Sequence, residues 1–153
     1  MSAVERAWQN AVLLLQRVMP GRVYAQLLEV AQQQHGYVTS GDARALGVDP
    51  LRLQDLARCG LADHVAHGVY RIALVPTGPL DQYMEATLWS QAGRGVICGP
   101  SALDLHGLCD VNPTKIHLSL PATYRPRRAV PSPYVLHRRE LDAGDVTLLD
   151  GSF

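Results

Sequence analysis

The sequence predicts an α+β chain in two parts: helices closing on a β-hairpin, then a smaller mixed α+β region. Three observations predict it. Apolar residues recur at helical spacing in the first part, with capping residues between the segments; "VAHGVYRI" (Val65–Ile72) sets a Gly turn between two β-prone runs; and beyond Leu80 helical stretches alternate with short strand-like ones. With 153 residues, 47% of them hydrophobic, the chain can bury one ordinary core or two small ones. Punctuation divides it into an N-terminal helix over 1–22, a first domain over 23–75 and a second over 80–153.

Val4, Trp8, Val12, Leu15 and Met19 form a helical stripe over Ala3–Met19, stopped by Pro20-Gly21. It needs a partner surface, either its own domain or a second copy. Tyr24–Gln34 reads as a helix with Leu27, Leu28 and Ala31 on one side, ending at His35-Gly36. In "VTSGDARALG", Thr39 can cap a short helix with Asp42 as the acidic member of a capping box, and Gly47 closes it. Asp49 then caps another helix, with Pro50 at its first position and Gly60 at its end. Two helices joined by so short a turn read as a helix-turn-helix.

Leu53, Leu56 and Ala57 share one face of the second of these helices, leaving Leu51, Arg52, Gln54, Asp55 and Arg58 outward. Arginine can fork onto guanine, glutamine onto adenine, and leucine can meet a thymine methyl. A solvated helix surface satisfies the same pattern. The hairpin that follows, Leu61–Val65 and Val69–Ile72 around Ala66-His67-Gly68, favours the DNA reading, because three helices followed at once by a hairpin make a winged helix. The expected DNA contacts are Thr39, Ser40 and Arg44 at the first helix, Leu51, Arg52, Gln54, Asp55 and Arg58 on the second, and His67 and Arg71 bracing the wing.

"GYVTSGDARALGVDPLRLQDLARCGLADHVAHGVYRI" resembles the N-terminal winged-helix domain of the AbiEi-type antitoxins of type IV toxin-antitoxin systems. "GPSALDLHGLCDVNPTKIHLSLP" is similar to the segment that follows it there. The likeness extends from Tyr24 to Val146. It implies a protein that binds inverted repeats in its own promoter, represses its operon and counters a cognate toxin resembling a nucleotidyltransferase, with homo-oligomers on the DNA. The chain departs from the family pattern in its longer N-terminal helix and in stopping at "DVTLLDGSF", so the antitoxin region is expected to be short or cut. Two other readings stay open: a stand-alone winged-helix regulator with no toxin partner, and a toxin-binding protein without DNA function.

In the second half, Leu80–Gln91 reads as a helix burying Tyr83, Met84, Thr87 and Leu88. Val96–Cys98 is a short strand, Ser101 starts a helix that Gly107 ends, and Lys115–Leu120 and Tyr134–Arg138 are partner strands. Net charge is zero, but Gln91–Arg139 carries seven basic residues (Arg94, Lys115, Arg125, Arg127, Arg128, Arg138, Arg139) against Asp104 and Asp110. The loop "PATYRPRRAVPSP" is expected to project Arg125, Arg127 and Arg128 together, with Tyr124 adjacent. These four with Arg138 and Arg139 are the expected partner-binding set; a solvated hairpin loop is the plain alternative.

Catalysis is the least supported class. Cys98, His106 and Cys109, even with His117 as a fourth ligand, lack zinc spacing, and His106 is expected hydrogen-bonded in the core. There is no Gly-rich phosphate loop, HExxH or Gly-x-Ser-x-Gly elbow, and Asp142, Asp145 and Asp150 sit in a turn-rich end. The expectation is a protein with no enzymatic activity, cofactor or metal. With no signal-peptide pattern and no apolar run of membrane-spanning length, a cytoplasmic location is expected.

Overall fold

A computed structural model describes residues 2–6, 9, 21–90, 95–110 and 113–149. The chain divides into two compact units, Met1–Pro79 and Leu80–Phe153. Ala3–Arg6 are helical, but Trp8, Val12, Leu15 and Met19 of the N-terminal stripe lie outside the described residues, as do Arg94 and Asp150.

The first unit runs α1 (Gly21–Gln33), β1 (Tyr37–Thr39), α2 (Ser40–Ala45), α3 (Leu51–Arg58), β2 (Ala62–Ala66) and β3 (Val69–Ile72). Local chemistry sets each boundary. The Thr39 hydroxyl accepts from the Asp42 amide at 3.1 Å while the Asp42 carboxylate accepts from the Thr39 amide at 2.8 Å, the capping box expected from the sequence. At the other end of α2, Val48 N–H reaches back to Ala43 C=O and Gly47 N–H to Arg44 C=O, which satisfies the last carbonyls. Helix α3 begins one residue later than expected, with Pro50 and not Asp49 at the N-cap place, and Asp49 Oδ1 accepts from the Leu51 amide at 3.0 Å from one position further out. Leu61 N–H bonding to Leu56 C=O closes α3 in the same way that α2 ends.

The strands form an antiparallel sheet in the order β1-β3-β2. Strand β1 was not expected. Its three residues become a strand by pairing Tyr37, Val38 and Thr39 with Arg71, Tyr70 and Val69. Leu27 and Ala31 of α1, Ala43 of α2, Leu53 and Leu56 of α3, and Val38, Tyr70 and Ile72 of the sheet meet in one core. At about 25 cal/mol per Å² of apolar surface removed from water, this shared core holds three short helices that could not persist alone.

The second unit runs α4 (Asp81–Trp89), β4 (Val96–Ile97), α5 (Gly99–Leu105), β5 (Ile116–Leu120) and β6 (Tyr134–Arg138), then a 3₁₀ turn at Ala143–Asp145. Tyr83, Met84, Ala86, Thr87 and Leu88 of α4 are buried, as are Leu118 and Leu120. Tyr83 OH donates to Asp104 Oδ2 at 3.1 Å, tying α4 to α5. Ser101 Oγ accepts from the His117 amide and donates to Lys115 C=O, stitching α5 to β5.

Strands β4 and β5 are antiparallel, but β5 and β6 are parallel, so residues 121–133 are a crossover and not a hairpin loop. His106 also departs from expectation. It is the exposed C-cap of α5, where the chain turns out of the core.

Candidate nucleic-acid interface

Helix α3 presents a polar face because its apolar residues are spent inward: Leu53 and Leu56 are fully buried and Ala57 half-buried. Outward stand Leu51, 56% exposed, with Arg52, Gln54 and Arg58 exposed and Asp55 half-buried among them. Arg58 Nη1 donates to Asp55 Oδ1 at 3.2 Å, and Arg52 Nη1 lies 3.8 Å from Asp55 Oδ2. One carboxylate therefore sits between the two guanidiniums of this face.

The wing meets the start of α2. Ser40 N–H donates to Gly68 C=O at 2.8 Å, and Thr39 pairs with Val69, so the His67-Gly68 turn stands at the helix-turn-helix. Gly68 has φ +67°, a conformation that favours glycine. His67 is exposed at the tip. On the same hairpin the His64 ring stacks on Tyr70 with centroids 4.7 Å apart. Burial pushes the Tyr70 phenol above its ordinary pKa.

Two expected contacts are placed otherwise. Arg71 turns away from the tip: its Nη2 donates to Val75 C=O at 3.0 Å and its guanidinium lies 5.9 Å from the Tyr37 ring centroid, so it fastens the base of β3 to the chain that follows. The Thr39 hydroxyl is occupied within the capping box, accepting from the Asp42 amide and donating to the Asp42 carboxylate at 2.8 Å. Gln34 Nε2 also reaches that carboxylate, at 3.0 Å. Ser40 is half-buried and Arg44 exposed on α2.

In the second unit the expected partner set separates. Tyr124 is half-buried with its hydroxyl donating to Ser90 C=O at 3.4 Å, and Arg125 folds back onto Ala122 C=O and Tyr124 C=O at 2.9 and 2.8 Å. These bonds brace the turn that opens the crossover, Tyr124 half-buried and Arg125 still exposed. Arg127, Arg128, Arg138 and Arg139 are exposed.

A pair that the sequence reading missed lies on the adjoining strands, where His117 Nδ1 and His137 Nε2 are 3.0 Å apart. Only the parallel register, with Ser119 opposite His137, brings them together. Among the described residues no group of three or more His, Cys, Asp or Glu is arranged to hold a metal, and no helix is long and apolar enough to cross a membrane.

The helix-turn-helix, the wing sheet and the helix before them coincide with a known family pattern. Residues 25–73 match the family model of the transcriptional regulator AbiEi antitoxins. The AbiEi likeness read from "GYVTSGDARALG" to "GVYRI" is therefore borne out over this segment, which covers most of α1 and everything from β1 through β3. The fold of the matched segment is winged-helix-like, within an α+β chain. None of the curated proteins compared matches the chain.

Proposed function

We propose that the protein is an AbiEi-type antitoxin that represses its own operon. In this reading the first unit binds inverted repeats in the promoter, two copies occupying the two half-sites, and acts in the cytoplasm. Helix α3 enters the major groove with Arg52, Gln54, Arg58 and Leu51 toward base edges, while His67, Ser40 and Arg44 approach the backbone. The second unit engages a cognate nucleotidyltransferase-like toxin through the exposed Arg127, Arg128, Arg138 and Arg139, which suit an acidic or phosphate-bearing surface. The supporting observation is the AbiEi match over residues 25–73, coincident with a helix whose outward face carries hydrogen-bonding and apolar groups suited to base edges.

A stand-alone regulator is the second reading, favoured by the match ending at residue 73, before the second unit begins. Two experiments separate them. A reporter driven by the protein's own promoter falls when the protein is supplied in both readings. Co-expression with the neighbouring open reading frame relieves toxicity only if the protein is an antitoxin, and a neighbour that is harmless, or stays toxic, leaves the regulator alone standing.

A further inference from the structure

Asp55 is an odd residue to find on a DNA-facing helix. Exposed ion pairs of this kind contribute little stability, so its bridge to Arg52 at 3.8 Å and Arg58 at 3.2 Å does not account for it as a fold-holding device. Residues 23–75 carry four arginines (44, 52, 58, 71) against five acids (29, 42, 49, 55, 63), so the segment lacks the charge that draws a protein onto any DNA.

We infer that Asp55 is the specificity filter of α3, withholding Arg52 and Arg58 from phosphate on random DNA and releasing them where a cytosine amino group takes their place. The inference rests on the proposal that α3 contacts DNA. In a groove the carboxylate is repelled by phosphates whatever the sequence. It is compensated only by a base-edge amine, cytosine N4 or adenine N6, and adenine sets its N7 acceptor against the second carboxylate oxygen, so cytosine is the base that suits aspartate. The guanine paired with that cytosine offers O6 and N7 in the same plane, within the chemistry of an arginine fork. A C·G pair therefore satisfies the acid and a freed arginine together, whereas an A·T pair offers the acid a poorer donor and the arginine no O6/N7 fork, and leaves the arginines held.

The test uses the full chain, wild type and with Asp55→Ala, Asp55→Asn and Asp55→Glu. Binding is measured to a promoter fragment and to a scrambled duplex of equal length and composition over a salt series. Asp55→Ala should bind the scrambled duplex on the order of tenfold tighter, with a steeper salt dependence, and should lose on the order of tenfold on the promoter. Asp55→Asn, which can pair with adenine, should move the preference at one position of each half-site from cytosine to adenine, a change that a merely structural role would not produce. Asp55→Glu should restore part of the discrimination. If the wild type prefers its promoter but the variants keep its selectivity and salt slope, the filter is overturned and DNA binding stands. If the wild type does not distinguish the two duplexes, the DNA reading falls and the filter with it.

Discussion

The Thr39 side chain holds the start of α2. Its hydroxyl accepts from the Asp42 amide and donates to the Asp42 carboxylate, which leaves it engaged at the start of α2. Replacing Thr39 with alanine should lower stability by about 1 kcal/mol, as N-cap losses do. Thr39→Ser should restore the melting temperature, and if Thr39→Ala melts like the wild type the cap is not holding α2.

Tyr134 supplies a titration. Burial, helped by the nearby Glu85 carboxylate, pushes its phenol up to about 12, and its ring meets Trp89 edge-on at 5.8 Å. The folded state thus holds that proton above pH 10, where the unfolded chain releases it, so stability should fall as pH rises from about 10 towards 12. A spectrophotometric tyrosine titration should show one late component that Tyr134→Phe removes.

At the scale of elements, α3 separates the two demands on a recognition helix. Leu56 is fully buried, and Leu51, five residues earlier and so on the far side of the helix, is 56% exposed. Leu56→Ala should cost about 2–5 kcal/mol in chemical denaturation, while Leu51→Ala should stay within about 0.5 kcal/mol and act on DNA affinity instead. The inward and outward faces of α3 were legible in the sequence because helical periodicity between Pro50 and Gly60 fixes its phase. Strand β1 was not legible: three residues are too few to show alternation, and only pairing with β3 makes Tyr37–Thr39 a strand.

The same limit hid the direction of β6. Alternating residues on either side of a proline-rich loop look alike whether the strands run together or opposed, and the parallel pairing is a tertiary fact. Arg71 was misplaced for a related reason, since the sequence cannot say that Val75 C=O lies within its reach.

For the whole molecule, two compact units meet at Pro79–Leu80, and the residues before that boundary, Pro76, Thr77, Gly78 and Pro79, are exposed. Limited proteolysis should cut first around Thr77-Gly78 and leave two resistant fragments, whereas scattered early cuts inside α3 or β5 would contradict two separate cores. The charge is polarised within the second unit, where seven bases and two acids between Gln91 and Arg139 are followed by four acids and no bases from Glu140 to Phe153. That polarity was visible in the sequence; the two bonds from Arg125 Nη1 to its own turn were not.

Whether the outward face of α3 reads operator DNA is decided by mobility shift of the promoter fragment with the wild type and with Arg52→Ala combined with Arg58→Ala. The wild type should give a salt-sensitive shift, and the double variant should lose at least about a hundredfold in affinity with its thermal melt unchanged. Equal affinity in the two proteins would contradict that role of α3.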